Sequence, residues 1–283
     1  MARRGPGDWP MPPRRHRPKR QAGFNFETAE KARAQDMKRA RLIQSNRSLA
    51  KRRARKLSKA LKNATSFPRN LASMRYCRRR RLAINGQLGW LVKRKGGPLT
   101  LATLLPRGWL IPADELSEVS PRKLLAQIRA VLSRAGASNA DGWAYLVMDC
   151  EYVEYLDAFA FHVHGVCAGG MAGVIGSLRE RRKFKWLPEA TGLGKRPVQL
   201  KRVTEGEEAR ALNYLIKTFH GKRVYAQGSD GPVRTGLKVS VPEPRHSQYL
   251  LWLSRWGIED FVLSMHLFFG KDRLLVTRAR VQT

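Results

Sequence analysis

Positive charge is concentrated in the first 81 residues, and this concentration sets that segment apart from the rest of the chain. The chain has 283 residues, with 55 Lys and Arg against 22 Asp and Glu, a net charge of +33. Residues 1–81 hold 26 of the basic residues and only 4 of the acidic ones. Charge this one-sided causes costly self-repulsion unless a polyanion binds it. A chain this basic attracts polyanions, and nucleic acid is the commonest of them.

The basic segment divides into two parts. Residues 1–23 combine Pro, Gly and Arg, a composition typical of disorder. Residues 27–64 lack Pro and Gly and favour a polar, basic helix with few apolar positions. Together they form a predicted basic N-terminal arm, residues 1–81, disordered and then helical. It is either a solubilising tail or a phosphate-binding arm, and the cost of self-repulsion favours the second interpretation.

The rest of the chain mixes predicted strands with predicted helices. Runs rich in branched or aromatic residues predict strands over 82–93, 98–105, 143–155, 158–167, 197–203 and 273–280. Apolar residues at helical spacing predict helices over 121–135, 171–182, 205–219, 246–256 and 258–269. This order, with a hairpin at Leu156-Asp157, indicates an α+β fold: a central antiparallel sheet with helices packed on it. The predicted domains are residues 82–235 and a helical C-terminal extension, 236–283.

Cysteine content and hydropathy exclude several classes of protein. The three cysteines, Cys77, Cys150 and Cys167, match neither a disulfide framework nor a zinc-site spacing, and they fit a reducing compartment. The sequence contains no run of 18 apolar residues, so we expect no membrane span. The Arg-rich N-terminus lacks the apolar segment of a secretory signal. These features favour a cytoplasmic protein with no membrane partner.

Two of the six histidines stand in the sequence Phe161-His162-Val163-His164-Gly165. On a strand, residues i and i+2 project from the same face, so the two imidazoles lie side by side and can bind one divalent ion. The alternative interpretation is a pair of partly buried histidines on a sheet face. Which of the two applies depends on whether a third ligand is near.

The preceding strand supplies three carboxylates, Asp149, Glu151 and Glu154. If the two strands pair as a hairpin, one of the three can complete the site. Two neutral nitrogens and one carboxylate leave open positions for a phosphate oxygen. Glu154 and Glu151 have opposite parity, so in a regular strand only one of them points at the histidines. The sequence leaves the choice open.

A Tyr-x-x-Lys pair, Tyr214 and Lys217, lies in the predicted helix over 205–219. Residues three apart share one helix face. A tyrosine phenol has a pKa of about 10 and is a poor nucleophile unless a cation favours the phenolate. A nearby ammonium or metal ion would supply that cation. The alternative is an interfacial tyrosine beside a solvated lysine.

The order of these elements resembles that of the HUH endonuclease superfamily, in particular the rolling-circle replication initiators of plasmids and phages. The strand over 98–104, with Thr100 and Thr103, is similar to the first motif of that family. Residues 161–165 are similar to the second motif, and Tyr214 with Lys217 to the third. Glu154 stands eight residues before the first histidine, as in related initiators. Arg210, four residues before the tyrosine, is typical of the single-tyrosine type.

The resemblance implies a fold, a metal and a mechanism. The fold is a central antiparallel sheet with helices on one face. His162, His164 and Glu154 would hold Mg²⁺ or Mn²⁺, with no small-molecule cofactor. Tyr214 would attack a phosphodiester to form a 5′-phosphotyrosine link, and Lys217 would orient the phosphate or the phenol. The protein would thus be an enzyme, a site-specific single-strand DNA endonuclease and strand transferase.

The resemblance also implies partners and leaves alternatives. The substrate would be single-stranded or hairpin DNA at a replication origin in a bacterial cytoplasm. Since the sequence contains no P-loop signature, a host helicase would unwind the duplex. A transposase or relaxase would use the same chemistry. A second class of candidate is a non-catalytic basic DNA- or RNA-binding protein built on the same scaffold.

Overall fold

The computed structural model describes residues 28–46, 49, 51–95, 97–184, 196–215, 221–228, 231–269 and 274–276. The helices of these residues are α1 Ala29–Ser45, α2 Lys51–Lys62, α3 Met74–Lys95, α4 Pro121–Arg134, α5 Met171–Ser177, α6 Glu208–Asn213 and α7 Arg245–Leu253. The strands are β1 Leu99–Leu104, β2 Leu110–Pro112, β3 Trp143–Val153, β4 Ala158–Ala168, β5 Val198–Arg202, β6 Gly221–Gly228, β7 Gly231–Ser240, β8 Val262–Met265, β9 Leu267–Phe269 and β10 Leu274–Val276. The predicted disordered segment 1–23 lies outside the described residues.

Eight strands form one mixed sheet, which confirms the α+β class. Its main order is β5-β1-β4-β3-β6-β7, with β2 added to β4 and β8 added to β3. The long hairpin β3–β4 is its centre and pairs over eleven residue positions. β6 lies parallel to β3, and the other pairings are antiparallel, so the sheet departs from the purely antiparallel arrangement that was expected. β9 and β10 form a separate two-stranded sheet.

Helices cover both faces of the sheet, and the expectation of helices on one face is wrong. On one face, α7 packs Tyr249 on Phe159 of β4, with the ring centroids 5.2 Å apart. α4 reaches the same side, where Arg129 contacts the sulfur of Met265 in β8. The other face carries the histidines and lies beneath α3 and α6; we call it the site face. The backbone carbonyl of Leu215, two residues after α6, contacts His164 and fixes α6 there.

Helices α1, α2 and α3 form a packed unit rather than a loose arm. Asp36 of α1 is fully buried, and its carboxylate accepts hydrogen bonds from the Ser73 hydroxyl and the Met74 backbone N–H at the start of α3. It also pairs with the Arg75 guanidinium at 2.8 Å. Arg75 in turn donates to the carbonyl oxygen of Leu61 at the end of α2. One buried ion pair therefore joins all three helices.

The structure corrects two further predicted elements. The strand predicted over residues 82–93 continues α3, because its buried residues Ile84, Leu88 and Leu91 recur at helical spacing. The helix predicted over residues 258–269 is a 3₁₀ turn followed by β8 and β9, where burial alternates along β8. Strands β6 and β7 were not indicated by the sequence patterns. The predicted domain boundaries stay predictions, and α3 runs through the one at residue 81.

A close backbone approach holds the hairpin together next to the histidines. A Cβ atom on Gly165 would lie 2.1 Å from the carbonyl oxygen of Tyr145, a separation that no side chain tolerates. Gly165 pairs with Leu146 in the register that also sets His164 opposite Val147. The glycine after the His-x-His pair thus serves strand packing. None of the helices in the described part of the chain has the length and apolar character needed to cross a membrane.

Candidate metal and tyrosine site

Two histidines and one aspartate meet on the site face of the β3–β4 hairpin. The register places Asp149 directly opposite His162, and Val147 opposite His164. Directly opposed residues and their i±2 neighbours share a face, so the three side chains converge. Asp149 Oδ2 lies 3.4 Å from His162 Nε2 and 3.9 Å from His164 Nδ1. All three residues are buried, with His162 the most accessible at 8%.

The spacing of these atoms suits a shared divalent cation. One ligand atom from each residue lies within 4.8 Å of the other two. Metal–nitrogen and metal–oxygen bonds of about 2.1 Å place neighbouring ligand atoms about 3.0 Å apart at right angles and about 4.2 Å apart in opposition. The observed 3.4 and 3.9 Å fall between these limits. This is the only such group of three or more His, Cys, Asp and Glu residues within the described ranges.

A backbone hydrogen bond fixes the tautomer of His164. Its Nε2 lies 3.0 Å from the carbonyl oxygen of Leu215. A carbonyl only accepts, so Nε2 carries the proton and donates it, and in the neutral imidazole Nδ1 keeps its lone pair. That lone pair points toward Asp149, the direction a metal ligand requires. An outer-shell hydrogen bond of this kind also orients the imidazole and raises its basicity.

Tyr214 stands at the edge of the same group. It follows the last residue of α6 and keeps helical backbone angles. Its ring centroid lies 5.1 Å from that of His164, with the ring planes at 49°. Tyr214 is 51% exposed, whereas the three candidate ligands are buried. A phenol that can be reached from solvent therefore borders a buried ligand set, although 50 residues separate it from His164 in the sequence.

Helix α3 holds the tyrosine-bearing segment in place. The Asn85 side-chain amide donates to the Asn213 side-chain oxygen at 3.2 Å, and Leu212 packs over Gly89 of the same helix. Leu215, on the other side of Tyr214, is fully buried and bonds His164 through its carbonyl. Both neighbours of the tyrosine are thus anchored, one to α3 and one to the sheet. The tyrosine itself is left facing outward beside the histidine.

The structure places Glu154 away from the histidines. It begins the 3₁₀ turn at the tip of the hairpin, with its side chain 52% exposed, and it pairs with Lys222 at 2.5 Å. Five residues separate it from Asp149, and at about 3.3 Å per residue the offset along the strand is about 16 Å. Asp149, and not Glu154, is the carboxylate brought to the histidines. Glu151 lies on the site face opposite Ala160 and is also buried.

The structure places only some of the other predicted site residues near the histidines. Thr103 of β1 pairs with His164 and therefore borders the ligands on the site face, while Thr100 has the opposite parity. Lys217 lies outside the described residues. Four polar or basic residues of α3 that the sequence analysis did not select are also buried: Arg80, Arg81, Asn85 and Gln87. Asn85 and Gln87 lie within residues 82–93, which appeared strand-like in the sequence.

The geometry of the turn explains why Asp149 is the third residue. A two-residue turn at Leu156-Asp157 would set Glu151 opposite His162. The turn instead contains four residues, closes with Asp157 in the left-handed region at φ 43°, and pairs Val153 with Ala158. Aspartate tolerates this conformation better than most residues. The two extra turn residues shift the register by two and bring Asp149 to the histidine.

No protein-family model, no curated protein and no solved structure matches this chain.

Proposed function

We propose that the protein is a metal-dependent, tyrosine-using endonuclease of the HUH type that nicks and rejoins single-stranded DNA. The observation that carries the proposal is the meeting of Tyr214 with the Asp149, His162 and His164 group. Each element alone is common in proteins. The half-exposed Tyr214 ring has its centroid 5.1 Å from that of buried His164, and His164 Nδ1 lies 3.9 Å from Oδ2 of buried Asp149. This arrangement suits the proposed chemistry.

In this proposal each of the chain's own groups has a separate role in the reaction. Tyr214 Oη attacks the phosphorus of a phosphodiester in line, the phenol proton passes to solvent, and the 3′ oxygen leaves and takes up a proton. The product is a 5′-phosphotyrosine link and a free 3′ hydroxyl. Because the link conserves the bond energy, the 3′ hydroxyl can reverse the step and rejoin the strand without ATP. Lys217 remains the predicted residue that orients the phosphate or the phenol.

Asp149, His162 and His164 would hold the cation. A bound divalent ion polarises the scissile phosphate and lowers the charge barrier to attack by an oxygen nucleophile. Mg²⁺ prefers oxygen ligands, whereas imidazole nitrogens suit transition-metal ions. Of the two predicted ions, Mn²⁺ therefore fits two nitrogens and one carboxylate better. The outer-shell bond from His164 to Leu215 would keep the ligand nitrogen aimed at the ion.

The proposed substrate is single-stranded or hairpin DNA, since a paired backbone cannot bring its phosphate to a buried site beside Tyr214. The net charge of +33 supports a polyanionic partner. A replication origin in a bacterial cytoplasm, with a host helicase to open it, is the setting that the resemblance implies. A transposition or mobilisation role would use the same residues in the same way.

A covalent adduct tests the proposal. The protein is incubated with single-stranded oligonucleotides and Mn²⁺, denatured, and separated by electrophoresis. We expect a DNA–protein band that survives denaturation, disappears with chelator and is absent from Tyr214→Phe. The matched control is Tyr155→Phe, because Tyr155 is also a half-exposed tyrosine, at 47%, but lies in the hairpin turn. Equal adduct yields from the two variants would exclude Tyr214 as the nucleophile.

A non-catalytic nucleic-acid-binding protein is the second candidate, and the burial of the three ligands favours it. Asp149 and His164 are only 2% and 3% exposed, so the group could stabilise the sheet instead of meeting a phosphate. Under this candidate, no adduct forms with any oligonucleotide or metal, while oligonucleotide binding persists in Tyr214→Phe.

A further inference from the structure

Five basic residues surround a cleft on the side of the sheet away from the metal and tyrosine site. The cleft has a volume of about 630 Å³ and is lined by one apolar residue, Val131, and by Arg107, Arg134, Arg181, Arg182 and Lys183. We call it the basic cleft. No acidic residue lines it. Among the described residues, none of the five forms an ion pair with a carboxylate.

Three separate segments build the basic cleft, and backbone bonds hold them together. The segments are the β1–β2 loop, the C-terminal end of α4 and the 3₁₀ turns after α5. The Arg107 backbone N–H donates to the Lys183 carbonyl oxygen at 2.9 Å. The Arg181 guanidinium lies 3.5 Å from the Arg134 carbonyl oxygen. Capping of α4 accounts for Arg181, because a guanidinium there offsets the negative end of the helix. Capping of α4 does not account for the other four basic residues of the cleft.

The lysine of the basic cleft is partly buried and is held in place by two neighbouring side chains. Lys183 packs over the Trp109 ring at 5.8 Å and donates to the Gln127 side chain. The pKa of Lys183 is lowered because burial removes water from its ammonium. Together with four guanidiniums, which do not deprotonate, it makes a concave surface of a single sign that focuses the electrostatic field.

The basic cleft lies beside the strand that carries the histidines. The β1–β2 loop bonds this strand directly, since the Phe161 backbone N–H donates to the Trp109 carbonyl oxygen at 2.9 Å. Phe161 directly precedes His162 and points to the opposite face, where its ring meets Trp252 of α7. Val131 and Arg134 of α4 line the cleft, and α4 packs on the face away from the histidines, so the cleft and the metal site lie on opposite sides of the sheet.

We propose that the basic cleft binds the phosphodiester backbone of the nucleic acid, beyond the nucleotide that would reach Tyr214. The inference rests on the proposed function in one respect, that the ligand is nucleic acid. Guanidiniums bind phosphates through two parallel hydrogen bonds, and several arginines in one concavity suit successive phosphates rather than one. Backbone contacts of this kind position a strand and add affinity without reading its sequence.

The salt dependence of binding tests the proposal. Arg107, Arg134 and Arg182 are exposed, so their joint replacement by Gln should leave the fold intact. Each phosphate contact on a single strand contributes about 0.7 to the slope of log affinity against log salt, so the triple variant should lose about 2 units of slope. The matched control, Arg69→Gln with Lys93→Gln and Lys123→Gln, removes the same charge from exposed positions elsewhere. Equal slopes for the two variants would overturn the proposal.

Two further measurements distinguish a failure of the cleft proposal from a failure of the proposed function. At saturating DNA, the triple variant should still form the tyrosine adduct, because none of its changes touches the metal or tyrosine site. If the wild type forms the adduct and the triple variant keeps the wild-type salt slope, the cleft proposal is wrong and the proposed endonuclease activity is retained. If the triple variant loses slope but the wild type forms no adduct, the proposed activity is wrong and the cleft proposal is retained. Finally, inorganic phosphate and a mononucleotide should compete only weakly with the oligonucleotide. Competition as strong as that of the oligonucleotide would assign the cleft to a free phosphate and overturn the proposal.

Discussion

Two buried aspartates show how differently the same side chain is used in this molecule. Asp36 accepts hydrogen bonds from a hydroxyl, a backbone N–H and a guanidinium, all at 2.5–3.0 Å. Asp149 instead lies 3.4 and 3.9 Å from two imidazole nitrogens. Ordinary N–H···O hydrogen bonds measure about 2.7–3.2 Å, so the contacts between Asp149 and the imidazoles are longer than hydrogen bonds, at a spacing that could hold a metal ion. The first aspartate joins helices, and the second belongs to a group that could hold a metal ion.

The largest effect is expected from removing the structural aspartate. Asp36→Ala leaves the largely buried Arg75 without its counter-ion and the Met74 N–H without its acceptor. Breaking a buried ion pair from one side costs about 3–5 kcal/mol. Denaturant unfolding of the variant should show a loss of this size, with Mn²⁺ affinity retained. A loss below about 1 kcal/mol would mean that the helical unit α1–α3 is not held by this pair.

The next effect concerns the site aspartate and appears only with metal. At a free Mn²⁺ concentration 100 times the dissociation constant, binding should add about 2.7 kcal/mol to the free energy of unfolding of the wild type. Asp149→Asn removes a charged ligand and should abolish most of this gain, while Asp36→Asn should keep it. The measurement is denaturant unfolding with and without Mn²⁺. An equal gain in the wild type, Asp149→Asn and Asp36→Asn would show that the two aspartates do not differ in binding the ion.

These two predictions also show how far the sequence alone could go. It indicated the β3–β4 hairpin and the same-face pair His162 and His164, and it selected Tyr214 as a candidate nucleophile, because period-2 patterns and side-chain chemistry are local properties. It could not choose Asp149 over Glu151 or Glu154, because the choice depends on two extra residues in the turn. It also missed α3 as the cover of the site, because four of the twelve buried residues of that helix are polar or basic and interrupt its apolar pattern.

A smaller effect is expected at the hairpin turn that sets the register. Arg245 bonds both carboxylate oxygens of Asp157, and this interaction holds the pKa of Asp157 below its ordinary value of about 3.9. The contribution to stability is therefore full above that ordinary value and lost as the pH falls through the lower, folded-state pKa. Since Asp157 is half exposed, we expect less than about 1 kcal/mol.

Titration by NMR checks this turn directly. In Arg245→Gln the pKa of Asp157 should rise toward its ordinary value, and stability should depend less on pH below about 4. Gln248→Ala is a suitable control, because Gln248 contacts Arg245 without touching the carboxylate. An unchanged Asp157 pKa in Arg245→Gln would show that the pair does not act on the turn.

The smallest effect is expected from the glutamate that the resemblance selected. Glu154→Gln removes an exposed side chain paired with Lys222 at the hairpin tip. Its stability should change by no more than about 0.5 kcal/mol, and its Mn²⁺ affinity should match the wild type. Calorimetric titration with Mn²⁺ makes the comparison with Asp149→Asn. A loss of affinity in Glu154→Gln equal to that in Asp149→Asn would return Glu154 to the ligand set.

The central claim is that Asp149, His162 and His164 together hold one divalent cation beside Tyr214. Crystals soaked in Mn²⁺ and measured for anomalous scattering locate the ion without reference to activity. The account predicts one strong peak about 2.2 Å from Asp149 Oδ2, His162 Nε2 and His164 Nδ1. Full occupancy at other residues, with no peak between these three atoms, would contradict it.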